Sequence, residues 1–439
     1  MKKTTNTPIP RRVVLGAAVV AAGLALSACG GGGAGTSGAG SSGGNVELNF
    51  VFWGDANRAK MTEAALRIFE KKNPGITVKT EYQDSAPYAD KLATRFAGGN
   101  PPDVLAMANR SLLEYAQRGT LADLKSLPEL NLDKVPETTL SRGEVDGKLY
   151  GLATGVTTIG MVVNKTITDQ AGVTIPDDKT WSWEDYAKFA TEVTQKTGGK
   201  VYGAGYDVAT ETGPIMLARQ RGEDFYTKDN KLGVSEKTIE DWFQYSVDLR
   251  KAGGYPPAGF FEQIGGSPAQ SYLAKGTVAS QIIPINNFRG YNEAVEGEVV
   301  LLRIPGETSG ERRGYSADPT MLWSIAAKSK HPKEAAKLVD FLTNDAEGAA
   351  EVLTQRGVPI NPEVADSITP KLSADDKTFV NLMAAIQEED LPPAYVYPKG
   401  ASVVADTLKQ LTTEVEFGRI SPADAAKTFM EKSNAAINK

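Results

Sequence analysis

From residue 46 onward, short apolar runs alternate with amphipathic stretches. Over residues 46–53, Leu48, Phe50 and Phe52 occupy every second position, the period of a half-buried strand. Residues 57–72 put Met61, Ala65, Ile68 and Phe69 on one helical face, and Asn73-Pro74-Gly75 stops that helix. The pattern then predicts a strand over 76–82 and a helix through Tyr88, Leu92 and Phe96 that ends at Gly98-Gly99. Asp103-Val104-Leu105-Ala106-Met107 is a near-continuous apolar run, as a buried parallel strand requires. Strand, helix, strand, helix, strand is the order of an open α/β sheet.

Further along, Asp146-Gly147 marks a hairpin turn and residues 157–164 read as a strand. Ser182 is placed to cap a helix whose third position is Asp185, and Phe189 and Val193 continue its inner face. More α/β units follow, with strands at 201–206, 277–283, 299–304 and 321–326 and a helix at 238–251. The last third is helical over 332–344, 346–356 and 422–437. Trp183 and Trp242 stand at helix spacing and are expected in the core. The whole predicts two α/β lobes with the chain crossing between them.

The first 44 residues carry a different signal. Arg11-Arg12 precede an apolar stretch over 13–25, too short to span a bilayer well, and Leu26-Ser27-Ala28-Cys29 follows. Residues 1–28 therefore read as an export signal, by the general or the twin-arginine route. Its end resembles a bacterial lipobox, which makes Cys29 the expected lipidation site. A lone cysteine has no intramolecular disulfide partner. Residues 30–44 are only Gly, Ala, Ser and Thr, a flexible coil reaching about 20 Å. Gly30, Gly32 and Gly35 match dinucleotide-loop spacing, but no strand precedes them. The expected location is the outer side of the cell membrane, with residues 29–44 as a lipid-anchored tether.

Charge and residue usage narrow the function. Loss of residues 1–28 removes four basic residues and no acid, taking the net charge from −6 to −10. That argues against nucleic acid and against electrostatic adhesion to anionic lipid, so membrane contact is expected through the lipid anchor only. The one histidine, His331, lies in a charged surface stretch. A Ser-His-Asp centre, a Cys-His centre and a Cys/His zinc site are accordingly not expected. The chain has no Gly-x-Ser-x-Gly, no phosphate-cradling Gly-Lys-Ser/Thr loop and no EF-hand loop. No cofactor, metal or catalysis is expected, although 54 acidic residues leave room for a carboxylate-dependent glycosidase.

Several strings follow in a set order and spacing: Phe52-Trp53-Gly54, Asn73-Pro74-Gly75-Ile76, and Gly98-Gly99-Asn100-Pro101-Pro102-Asp103-Val104. Tyr115-Ala116-Gln117-Arg118-Gly119, Asp146-Gly147-Lys148-Leu149-Tyr150-Gly151-Leu152, Val163-Asn164-Lys165 and Trp181-Ser182-Trp183-Glu184-Asp185-Tyr186 follow, then Lys330-His331-Pro332-Lys333-Glu334-Ala335-Ala336. In this order they resemble the carbohydrate-binding, maltose-binding-protein-like solute-binding proteins of ABC importers (family 1). The resemblance implies a two-lobe periplasmic-binding-protein-like fold of type II, with three hinge crossings and ligand in the interlobe cleft. Lobe 1 would comprise 45–155 with 317–360, and lobe 2 would comprise 156–316 with 361–439. It implies a monomer that captures a mono- or oligosaccharide and presents it to ABC importer permease subunits. An extracytoplasmic glycosidase and a ligand-sensing partner of a membrane receptor remain the alternatives.

Ligand contacts are expected on loops at the carboxyl ends of the strands. The candidates after the first strand are Trp53, Asp55 and Asn57, and after the second Ser85 and Tyr88. Asn109 and Arg110 follow the third, where the resembling family places sugar contacts; maltose-binding protein carries a His and an Asp there. In the second lobe they are Tyr206, Asp207, Asn286, Asn287 and Arg289. Near the crossings expected at 153–156, 315–319 and 358–362 they are Tyr315, Ser316, Asp318 and Arg356. Arg110, Arg289 and Arg356 also suit an acidic ligand, such as a sugar acid or a glycerol phosphate ester.

Overall fold

The computed structural model describes residues 45–205, 210–260, 267–389, 391–392 and 395–438. The export signal, Cys29 and the tether lie outside them. The strands, in chain order, are β1 (Val46–Trp53), β2 (Ile76–Gln83), β3 (Val104–Met107), β4 (Glu144–Val145), β5 (Lys148–Leu149), β6 (Leu152–Ala153), β7 (Val156–Thr157), β8 (Ile159–Asn164), β9 (Tyr202–Ala204), β10 (Val278–Pro284), β11 (Val299–Leu302), β12 (Asp318–Pro319) and β13 (Leu322–Ile325).

The first lobe is built on a sheet of order β2-β1-β3-β13-β6. β1 pairs in parallel with β2 from Val46↔Ile76 to Trp53↔Gln83, and with β3 at Phe50↔Val104. β13 closes against β3 antiparallel. Phe50, Phe52, Phe69 and Trp323 are fully or almost fully buried in its core, each contributing about 1.5–3 kcal/mol on burial. The helix Ala56–Lys72 buries Ala59, Thr62, Ala65, Leu66 and Phe69. Its inner stripe is therefore turned from the expected one, because Leu66 is packed inward while Met61 lies half-buried at the margin.

The second lobe is built on a sheet of order β11-β8-β10-β9, with β8 antiparallel to both β10 and β11. Ser182 and Asp185 form a reciprocal capping box at the start of Trp183–Lys196. Trp242 is almost fully buried, and Trp183 packs edge-on to it at 5.8 Å. Glu236–Lys251, Ala401–Glu416 and Pro422–Ile437 form a helical layer sharing one apolar cluster.

Between the sheets the predicted strand over 157–164 is divided. Val156 and Thr157 pair with Asp318 and Pro319, and only Ile159–Asn164 enters the second sheet. Val156 also exchanges backbone hydrogen bonds of 2.9 Å with Val358, so three chain segments lie side by side. Gly155 permits this contact: a Cβ there would sit 2.1 Å from the Arg356 carbonyl oxygen. After Val358, Pro362–Ile368 packs on Ala346–Val352. Ala374–Gln387 touches Phe288–Ala294, while its Phe379 and Met383 enter the first lobe's core.

Candidate functional site

β1 and β3 point their carboxyl ends at the gap between the sheets, and each is followed at once by a helix. Trp53 closes β1, and Asn109 and Arg110 open the helix Asn109–Gln117 after β3. The ribbon β7–β12 crosses behind, and the turn Ile285–Asn287 after β10 faces it. Together they line an inner cavity of ≈ 340 Å³. An outer chamber of ≈ 800 Å³ adjoins it, and Trp53, Asn109, Arg110, Thr320 and Tyr397 border both. Trp53 lies 5.4 Å from the Tyr88 ring, so it is held as part of the wall.

The polar groups of this wall are incompletely satisfied by the protein. Asn109 donates through Nδ2 to the Pro319 carbonyl at 2.9 Å, while its buried Oδ1 has no partner. Asn286 donates to the Gln355 carbonyl at 3.4 Å, and its Oδ1 is likewise unpartnered. Arg58 donates through Nη2 to the same carbonyl at 3.2 Å and leaves Nε buried without an acceptor. In the outer chamber one carboxylate oxygen of Glu211 stands 4.0 Å from Arg110, and the other has no partner. A buried polar group left unpaired costs about 1–3 kcal/mol. Four around one gap make a surface that gains from a ligand supplying the missing donors and acceptors.

Electrostatics separate the two chambers. Burial lowers the Arg58 guanidinium, against the opposing field of Asp55. Burial also lowers Arg219, against Asp318. Burial works to raise the Asp318 carboxyl, but Arg142, Arg219 and the Ser316 hydroxyl outweigh it and hold it below the usual range. Burial pushes Glu211 up, with Arg110 opposing and Asp406 adding to the rise. Among the described residues no group of three His, Cys, Asp or Glu side chains is placed to hold a metal ion.

Of the residues expected from sequence, Trp53, Asn109 and Arg110 border both chambers, and Asn286, Asn287 and Asp318 line the inner one. Tyr88 lends its ring to the outer chamber, but its hydroxyl is taken up inside, 2.7 Å from the Ala106 carbonyl. Ser316 stands behind the wall, accepting from Arg219 at 2.6 Å and bonding to Asp318.

The structure moves five expected contacts away from the gap. Asp55 caps Ala56–Lys72 by accepting from the Arg58 backbone, and Asn57 is exposed in its first turn. Arg289 pairs with Glu293 and Asp376. Tyr315 is fully buried, and its hydroxyl accepts from the Ile304 backbone at 2.6 Å. Arg356 is 5% exposed, sandwiched between Phe52 and Trp323 at 4.9 and 4.8 Å, and donates to Thr62 at 2.9 Å. Ser85 begins the helix Ser85–Ala97; its side chain, together with Tyr206 and Asp207, lies outside the described residues.

Wall residues that sequence reasoning missed are Arg58, Glu211, Arg219, Gln355 and Tyr397. Arg58 sits one residue beyond the expected Asn57, in the first turn of the helix that follows β1. Glu211 and Arg219 flank and end the helix Thr212–Gln220, and Tyr397 precedes Ala401–Glu416; neither segment carried a strand-end signal.

Comparison with known proteins matches this architecture. The family model described as bacterial extracellular solute-binding protein covers residues 54–349. The chain is 28% identical over 321 residues to the arabinooligosaccharide-binding protein of Bacillus subtilis (70% of this chain, 72% of that protein). It is 26% identical over 444 aligned positions to the diacetylchitobiose binding protein DasA of Streptomyces coelicolor (97% and 99%). A crystal structure of a periplasmic solute binding protein from Pectobacterium atrosepticum superposes with a TM-score of 0.79 at 25% identity, covering 90% of this chain and 99% of that one. No helix among the described residues is long and apolar enough to cross a membrane. A family match over two-thirds of the chain, on a fold with two sheets facing a polar cleft, places the protein in the bacterial extracellular solute-binding protein family.

Proposed function

We propose that the protein captures a mono- or oligosaccharide in the cleft between its two sheets and delivers it to an ABC importer permease. The observation that carries this reading is the set of unpartnered buried polar atoms around one gap: Arg58 Nε, Asn109 Oδ1, Asn286 Oδ1 and a Glu211 oxygen. A sugar presents hydroxyl groups that donate and accept in turn, and its C–H faces suit the Trp53 and Tyr397 rings that border the chambers. Relatives named for binding arabinooligosaccharides and diacetylchitobiose support the same ligand class.

Binding is favoured over hydrolysis. Asp318, the carboxylate lining the inner cavity, is engaged by Arg142 and Ser316, and the relatives are named as binding proteins. Residues 45–155 with 317–360 form one lobe in this reading, and 156–316 with 361–439 the other. The β7–β12 ribbon and its contact with Val358 serve as the hinge between them. A lipid on Cys29 and the tether through residue 44 keep the receptor near its permease, as a monomer. A thermal-shift screen tests the function: a bound ligand raises the melting temperature by mass action. Sugars should shift it, and the shift should shrink in Trp53→Ala. Shifts by peptides or amines with none by sugars would overturn the reading.

A further inference from the structure

We propose that the sugar carries a carboxylate at the end that enters the inner cavity, and that Arg58 is the residue that selects it. The inference rests on the sugar-capture reading and adds the charge of the ligand. Two guanidinium groups, Arg58 and Arg219, border the inner cavity with Arg110, which is shared with the outer chamber and stands 4.0 Å from Glu211, against one carboxylate, Asp318. Asp318 already forms an ion pair with Arg142 and feels Arg219, so its charge is spent.

Arg58 has no such partner. Its hydrogen bond goes to a neutral carbonyl, and its Nε is buried without an acceptor. The acid whose field reaches it, Asp55, is exposed and occupied with the helix cap. Arg356, whose field also meets Arg58, is a buried guanidinium held by aromatic faces and a hydroxyl, not by an acid. A half-buried cation beside a buried one, with no carboxylate paired to either, is unfavourable without ligand, and an anion at Arg58 relieves it. A carboxylate fits because Nε and Nη of one guanidinium present the forked donor pair that a planar carboxylate accepts.

The outer chamber has the opposite bias. Asp90, Glu114, Glu211 and Asp406 border it against Arg110 and Arg118. A polyanion would be repelled there, so the arrangement selects one acidic unit at the inner end with neutral sugar beyond it. The Asn109 and Asn286 oxygens then accept from its hydroxyls.

The test is a calorimetric titration of the purified protein with three probes: a disaccharide ending in galacturonate or glucuronate, the matching neutral disaccharide, and glycerol 3-phosphate. The acid-ended disaccharide should bind at least about 10-fold more tightly than the neutral one. Arg58→Gln should collapse that preference, with a loss of about 30-fold or more for the acid. The melting temperature of the unliganded variant should match or exceed that of the parent, because a half-buried charge without a paired carboxylate has been removed. Equal or tighter binding of the neutral sugar overturns the charge inference and leaves sugar capture standing. Binding of the phosphate alone also overturns it, as does a large fall in the melting temperature of unliganded Arg58→Gln, which would make Arg58 structural. If no sugar of either charge binds, the capture reading fails with it.

Discussion

The environment of Glu307 fixes both the size and the sign of a pH effect on stability. The residue is 3% exposed and lies in the segment between β11 and β12. One of its oxygens accepts from Gln220 Nε2 at 2.7 Å, and both accept from the Gly314 backbone at 3.1 and 3.2 Å. Burial pushes its carboxyl up from 4.5 to about 7. The donors from Gln220 and Gly314 and the charge of Arg313 oppose the rise, and Glu389 adds to it. The native state thus holds a proton between pH 4.5 and 7 that the unfolded chain has released. Stability from this group is complete below the unfolded value and is lost as pH climbs through the folded one. At about 1.4 kcal/mol per pH unit, the displacement amounts to about 3 kcal/mol, most of it lost between pH 5 and pH 8. Glu307→Gln removes the titration while its amide oxygen can still accept from Gln220. Urea unfolding of parent and variant at pH 5, 6, 7 and 8 measures the difference. The variant should gain on the parent by about 2.5 kcal/mol as pH rises across this window. A difference that stays flat with pH, or that grows in the opposite direction, would refute the burial argument.

Other outcomes follow from single contacts. Asn109→Ala removes an unpartnered acceptor of the cavity and its bond to Pro319, so sugar affinity should fall by about 10-fold or more in titration. Gly155→Ala drives a methyl to 2.1 Å from the Arg356 carbonyl, and the melting temperature should drop by the equivalent of about 1–3 kcal/mol. Cys29→Ala should leave ligand affinity intact and move the protein from the membrane fraction to the soluble one; lost affinity would mean that the cysteine has another role.

How far the sequence reaches depends on the range of the interactions. Alternation in 46–53, the stop at Asn73-Pro74-Gly75 and the cap at Ser182 are local, and each element formed where its pattern put it. The Asp146-Gly147 turn did so too, with both residues at positive φ. Thr158 was illegible as a break, because only pairing of Val156 and Thr157 with the distant residues 318–319 divides that strand. The site shows the same limit. Trp53, Asn109 and Arg110 follow strand ends and could be found by rule. Asp55 obeyed the same rule yet serves the helix, since an aspartate before a helix looks alike as cap or as ligand contact. Arg356 read as a cleft cation because sequence does not show the two aromatic faces that enclose it. Arg219 and Tyr397 come from segments far apart in the chain, and no periodicity links them.

One sugar is expected to bind in the cleft through Asn109 and Asn286. Calorimetric titration of the parent and of the double variant Asn109→Ala, Asn286→Ala against a sugar panel tests it most directly. One site per chain is expected in the parent, with a much larger loss in the double variant than in Asn109→Ala alone. Unchanged affinity in the double variant, or binding of non-carbohydrates only, would contradict it.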